Sequence, residues 1–228
     1  MSRSTGSVGV VIVAAGQGTR LGAAQPKAFV RLAGSTLLEH AVTRALGAAD
    51  TAHVVVVAPA SHLVEAGALV SAHPRSGDVT VVGGGAERTA SVAAGLAALR
   101  DDVDVVLVHD AARCLAPASL FDRLVEAVRE GADAVVPGLP VADTIKVVDA
   151  TGAVVGTPDR STLRAVQTPQ AFRRSVLVAA HASGADATDD AGLVERVGGR
   201  VLVIDGDDLA FKVTTAADLE RADRILGP

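Results

Sequence analysis

Six short valine-rich runs recur along the chain, VGVVIVAAG, HVVVVAP, VTVVGGG, VDVVLVHDAA, GADAVVPGLP and RVLVIDG, and each is too short to be a buried helix. Between them lie stretches with apolar residues at spacings of three and four, among them TLLEHAVTRALGA, RTASVAAGLAALR, SLFDRLVEAVREG and DDAGLVERVGG. Continuous apolar strands need cover on both faces, and amphipathic helices provide it. The alternation therefore predicts an α/β chain of Rossmann-like, three-layer α/β/α architecture with a mostly parallel sheet. With 49% hydrophobic residues but no Trp or Tyr and only 4 Phe, the core must be built from Val, Leu, Ile and Ala, which suits such strands. At 228 residues the chain is long enough for one sizeable domain and short for two independent cores, so one domain over 1–228 is expected.

One region breaks the rhythm. From about 139 to 163, LPVADTIKVVDATGAVVGTPDRSTL holds two β-prone pieces around DATG and no helical period, which predicts an inserted β-hairpin arm. A lone hairpin is marginal in water, so the arm should pack on something, and a second subunit is the natural candidate. The tail KVTTAADLERADRILGP reads as a helix with Thr215 as N-cap and Asp218 three residues on.

The charge balance, 21 Lys and Arg against 26 Asp and Glu for a net of -5, gives no general basic field for nucleic acid, so any anion site must be local. A single cysteine, Cys114, cannot form an internal disulfide and suits a reducing compartment. The leading MSRSTGS lacks the apolar segment of a signal peptide, and no apolar run nears the roughly 20 residues that span a bilayer. A cytoplasmic protein with no membrane partner is expected.

Ligands in open α/β sheets bind at the carboxyl ends of strands. The first such end runs into AAGQGTRLGAAQPKAF, where Ala14, Ala15, Gly16, Gly18 and Gly22 replace bulk while Arg20 and Lys27 add charge. Small residues let backbone N–H groups approach an anion, which is the chemistry of a phosphate cradle; a tight turn with two solvated cations is the plainer alternative. No GxxxxGK[ST] is present, and GxGxxG fits only through Gly18, with Leu21 at the third position. Glu39 stands near the distance of a ribose-binding acid, but a solvated helix face accounts for it more simply.

In GGGAERTAS, Gly83 to Gly85 end a strand and let the backbone approach a flat ligand or merely turn, with Ser91 one helical turn past Glu87. VVLVHDAARCL puts Asp110 at a strand's carboxyl end, where it could serve a ligand or cap a helix. ATDDA reads as a helix start with Thr188 as N-cap. Lys212 stands alone among apolar residues of a predicted strand in DDLAFKVT, and burying it unpaired would be costly, so it is expected to point into a site.

These stretches, with VHDAAR, DTIK, TPDRSTL, QTPQAF and FKVT, follow in an order and spacing that cover nearly the whole chain. Together they resemble the signature of nucleotidyltransferases that join CMP from CTP to a small phosphorylated alcohol, and within that group the 2-C-methyl-D-erythritol 4-phosphate cytidylyltransferase family of the non-mevalonate isoprenoid pathway. The resemblance implies catalytic roles for Arg20, Lys27 and Lys212, with Ala14, Ala15, Gly16, Gly18 and Thr19 around the triphosphate of CTP. It implies that Gly85, Ala86 and Ser91 read cytosine and ribose and that Asp110 and Ala111 hold the sugar. Asp110, Arg113, Thr144, Arg160, Thr168, Thr188 and Lys212 are implied on the acceptor side. It also implies Mg²⁺ held mainly by the CTP phosphates, and a homodimer joined through the arm. Two positions depart from the family pattern: Cys114 replaces a usual Pro, and Ala210 a frequent Asn.

The implied reaction is attack of the acceptor phosphate on the α-phosphorus of CTP with release of pyrophosphate. No general base is required, because a phosphate monoester with its second pKa near ~6 is largely dianionic at neutral pH. A cytidylyltransferase for another polyol phosphate, such as ribitol 5-phosphate, would share the CTP half of the site. A non-catalytic nucleotide sensor is disfavoured by the retained Arg20, Lys27 and Lys212, and a nicotinamide oxidoreductase by the missing third glycine.

Overall fold

A computed structural model describes residues 6–16, 25–185 and 187–227. In chain order, β1 (Ser7–Val13) is followed by a small ribbon of β2 (Arg31–Leu32) and β3 (Ser35–Thr36), then α1 (Leu37–Leu46), β4 (Thr51–Ala58), α2 (Leu63–Ser71) and β5 (Val79–Gly83). The middle of the chain supplies α3 (Arg88–Ala97), β6 (Val103–Asp110), α4 (Ala118–Arg129), β7 (Ala134–Pro140), β8 (Val147–Val148) and β9 (Val154–Gly156). It closes with β10 (Arg164–Val166), β11 (Gln170–Arg173), α5 (Arg174–Ala182), α6 (Asp190–Arg196), β12 (Val201–Asp205) and α7 (Ala216–Leu226).

The valine runs form an eight-stranded sheet in the order β10-β7-β11-β6-β1-β4-β5, with β12 also on β7. β5, β4, β1 and β6 are parallel neighbours, and β12 runs parallel to β7. β11 is antiparallel to both β6 and β7, and β10 to β7. The fold is thus the Rossmann-like, mostly parallel arrangement, with an antiparallel insertion that the sequence pattern did not announce.

Period-two alternation divides each central strand between two apolar layers. Val8, Val10 and Ile12 of β1 face Leu38 and Ala41 of α1 and Phe121 and Leu124 of α4. Val11 faces Val92 and Leu96 of α3, Leu177 of α5 and Val194 of α6. Both layers are aliphatic, as the near absence of aromatics requires.

Caps set the helix starts. Thr36 and Glu39 form both halves of a capping box at α1, so Glu39 holds a helix end rather than facing solvent on the helix side. Thr215 and Asp218 do the same at α7, as expected, with the shorter acid still reaching the backbone. At α6 the cap is Asp189, one residue later than the Thr188 expected: its carboxylate accepts the N–H of Gly192 at 2.9 Å and the amide of Gln170 at 2.8 Å. That frees Asp190 to turn into the interior.

The inserted hairpin is present as β8 and β9, paired antiparallel outside the main sheet. It begins slightly after the expected boundary, because Leu139 and Pro140 still pair with β10. Asp149 shapes the turn, accepting the N–H groups of Thr151 and Ala153. Val147, Val148, Val154 and Val155 are each at least half exposed. Among the described residues, no helix is long and apolar enough to cross a membrane.

Candidate active site

A cleft of about 720 Å³ opens at the carboxyl ends of β1, β4, β5 and β6. Parallel strands deliver their following loops to one edge, so segments distant in sequence meet there. Ala14 to Gly16 and Lys27 form one wall, Gly84 to Arg88 with Ser91 a second, and Asp110 to Ala112 with Lys212 a third.

The first wall follows directly from β1. Ala14 continues the ladder by donating its N–H to Val57 O at 2.9 Å, after which Gly16 is exposed. Lys27 opens a single turn of 3₁₀ helix, Lys27–Phe29, anchored by the buried Phe29. Gly18, Thr19 and Arg20 lie outside the described residues.

The second wall depends on two glycines. A Cβ on Gly84 would lie 2.7 Å from the Cβ of Ala15, and one on Gly85 only 2.5 Å from the Cβ of Ala90. Bare backbone is what lets this loop close against the first wall. Ser91, 1% exposed, fastens the turn: its hydroxyl donates to Glu87 O at 3.0 Å and accepts the Gly85 N–H at 3.2 Å.

The third wall carries the charge. Lys212 Nζ donates to Asp110 Oδ2 at 2.7 Å, and Arg88 Nε stands 3.8 Å from Oδ1. Burial works to raise the Asp110 pKa, but Lys212 and then Arg88 outweigh it and hold the carboxyl below its ordinary value. The Asp110 N–H donates to the hydroxyl of Thr168 at 3.0 Å, which is itself 3.2 Å from Nδ1 of the fully buried His109. Burial pushes the His109 pKa down to about 4. A neutral ring at physiological pH can accept the Thr168 proton, which leaves the Thr168 oxygen to accept from Asp110.

Lys212 differs from the expectation in one respect: its segment belongs to no strand and is held instead by the Val213 N–H on Ala112 O at 2.8 Å, while its ammonium lines the cleft and pairs with Asp110. Ala210 gives its carbonyl to Arg113 at 2.7 Å. Arg113 also reaches Val166 O at 3.4 Å, so it ties the Lys212 segment to β10 and does not line the cleft. Burial lowers the Arg113 pKa, with Asp110 opposing.

The structure therefore gathers Ala14, Ala15, Gly16, Lys27, Gly85, Ala86, Ser91, Asp110, Ala111 and Lys212 around one cleft. Thr168 supports it from behind. Thr144 and Arg160 lie on the arm and Thr188 on the exposed turn before α6, and none of the three lines this chain's own cleft. Arg160 bonds to Ala142 O within the arm. Sequence reasoning missed Arg88, whose NH1 sits 2.7 Å from the buried Asp190. No sequence signal marks the pair, because an acid in the first turn of a helix is already favourably placed by the helix dipole and needs no cation. Among the described residues, no three His, Cys, Asp or Glu side chains cluster to hold a metal ion.

A family profile described as 2-C-methyl-D-erythritol 4-phosphate cytidylyltransferase matches residues 8–228. The protein of that name from Rhodococcus jostii is 54% identical over 96% of this chain and 95% of its own length. A bifunctional enzyme of Clavibacter michiganensis is 57% identical over 96% of this chain, which spans 54% of that longer protein. Among solved structures, 2-C-methyl-D-erythritol 4-phosphate cytidylyltransferase of Thermus thermophilus matches at TM-score 0.76 and 37% identity, covering 96% of this chain and 98% of the other. The 4-diphosphocytidyl-2C-methyl-D-erythritol synthase of Anaerococcus prevotii matches at TM-score 0.85 and 27% identity, covering 97% and 98%.

Proposed function

The chain belongs to the 2-C-methyl-D-erythritol 4-phosphate cytidylyltransferase family, and from that premise we infer what its cleft does: it transfers CMP from CTP to 2-C-methyl-D-erythritol 4-phosphate, forming 4-diphosphocytidyl-2-C-methyl-D-erythritol and pyrophosphate. Transfer to this acceptor is favoured over ribitol 5-phosphate by the names its relatives carry. The observation that carries the assignment of roles is the meeting, in one cleft, of the glycine loop, Lys27 and the Asp110–Lys212 pair.

In the reading we propose, the Gly84–Ala86 backbone and Ser91 hold cytosine in a pocket too tight for a purine, and Asp110 with Ala111 takes the ribose. The triphosphate lies along the loop after Ala14, where the backbone N–H groups of Ala15 and Gly16 and the Lys27 ammonium offset its charge, with Arg20 assigned the same task from the sequence. Lys212 serves the acceptor phosphate. Catalysis is then chiefly electrostatic: two polyanions must approach, and fixed cations stabilise the additional charge on five-coordinate phosphorus.

In this reading magnesium is held by the CTP phosphates and water, because Asp110, the acid on the third wall, is already engaged by Lys212 and Arg88. When bound, it would neutralise the phosphates and stabilise the departing pyrophosphate. The residues that would hold it in place are those that hold the triphosphate, Lys27 and the Ala15–Gly16 backbone.

The arm completes the reading. Thr144 and Arg160 do not line their own chain's cleft, and the arm exposes four valines; both support a homodimer in which each arm supplies the partner's acceptor site. A single buried Cys114, its pKa raised to about 12 by burial, suits our placement of the enzyme in the reducing cytoplasm.

The test is a panel in which the protein meets each nucleoside triphosphate, each polyol phosphate and Mg²⁺ while pyrophosphate is measured. Release is expected only with CTP, 2-C-methyl-D-erythritol 4-phosphate and the ion together. Equal turnover with ATP would refute the cytosine pocket, and turnover of ribitol 5-phosphate alone would change the acceptor.

A further inference from the structure

Lys212 can give its full charge to an incoming phosphate only by loosening its 2.7 Å pair with Asp110, and while the pair holds, the two anions compete for one ammonium. If it leaves, it abandons a carboxylate whose side chain is only 14% exposed, and an unpaired charge in such a place is costly. A second cation already waits on the other side. Arg88 Nε stands 3.8 Å from Oδ1, the oxygen that Lys212 does not use.

Arg88 is itself restrained. Its NH1 is 2.7 Å from Asp190, which is 1% exposed and also contacts His181 Nε2 at 3.0 Å. Burial opposes the charge of Arg88, but Asp190 and then Asp110 outweigh it. The planar fork of a guanidinium faces the two carboxylates along different edges in one fixed geometry, whereas an ammonium is a rotatable point charge. Asp190 sits at the first position of α6 with its side chain turned inward, so the anchor is set by a helix rather than by a loop.

We propose that Arg88 is the resident counter-ion of Asp110, a positioning residue anchored by Asp190, whose task is to release Lys212 to the acceptor phosphate. Without it, Lys212 would be the one cation among the described residues in ion-pair contact with Asp110, and the acceptor would have to compete for that lysine. This proposal rests on the assignment of Lys212 to the acceptor.

The experiment compares Arg88→Met, Arg88→Lys, Asp190→Asn and the double variant Arg88→Met with Asp190→Asn, measuring acceptor KM, CTP dissociation constant, kcat and thermal unfolding. Arg88→Met should raise the acceptor KM about tenfold or more while the CTP dissociation constant, which Asp110 also touches through the ribose, moves by several-fold less than the acceptor KM. Arg88→Lys should recover part of the loss. Asp190→Asn should reproduce the acceptor defect, and the double variant should be no worse than Arg88→Met to within about twofold, because Asp190 acts through Arg88. An unchanged acceptor KM, or a CTP affinity that falls as far as the acceptor's, overturns the proposal. Should Asp190→Asn not fold, the two Arg88 variants decide. Lys212→Met tests the underlying reading separately: retained acceptor-dependent turnover removes Lys212 from the mechanism, whereas its loss beside an unaffected Arg88→Met removes only the role given to Arg88.

Discussion

Lys27 begins the short turn that follows Pro26, and the buried Phe29 two residues on fixes the direction in which that turn leaves the core. A cation held this way need not reorganise when charge builds at phosphorus, so its effect falls mainly on the transition state. Lys27→Met should therefore lower the rate at saturating substrates by about 10² or more, or roughly 3 to 4 kcal/mol, with the unfolding temperature nearly unchanged. A loss of only about twofold would return Lys27 to the solvated surface. Asp110 and Lys212 were legible at this scale, because a charged residue at the end of an apolar run must face either solvent or a site. The Arg88–Asp190 pair was not, since its members are far apart in sequence and meet only when α3 and α6 pack on the same face of the sheet.

At the scale of elements, the strands and amphipathic helices declared themselves through their periods, while α2, α5, β10 and β11 did not. In α2 the fully apolar LV opening places Val64, 89% exposed, out of phase with the buried Ala66 and Val70, so no clean stripe is visible. β11 is four residues long and begins with a glutamine whose amide is spent on Asp189, which no hydrophobic pattern reveals. The glycine loop after β5 was readable as a loop, but the reason for its glycines is tertiary. Because a Cβ at Gly84 would press on Ala15 and on the Ser91 hydroxyl, Gly84→Ala should spread the two walls of the cleft. Overpacking of this kind costs about 1 to 3 kcal/mol, and calorimetric titration should show CTP affinity falling about tenfold while far-ultraviolet circular dichroism stays the same. Wild-type CTP affinity in Gly84→Ala would place the nucleotide elsewhere.

For the whole molecule, the arm is the feature whose purpose one chain does not explain. It was legible as a hairpin from its broken helical period, whereas the position of Thr144 and Arg160 away from their own cleft is a matter of three-dimensional reach. If two chains exchange arms, each site joins the CTP walls of one to the arm of the other. Lys27→Ala and Arg160→Ala, inactive separately, should then complement: about half the dimers in a refolded mixture are mixed, each with one intact site, giving roughly a quarter of wild-type activity. A mixture that stays inactive would assign each arm to its own chain. The claim on which all of this depends is the bond that breaks, and it is tested most directly by following label from CTP during turnover with 2-C-methyl-D-erythritol 4-phosphate and Mg²⁺. Label in the α-phosphate should appear in the cytidylylated alcohol and label in the γ-phosphate only in pyrophosphate; γ-label in the acceptor product, or α-label that never reaches it, would contradict the account.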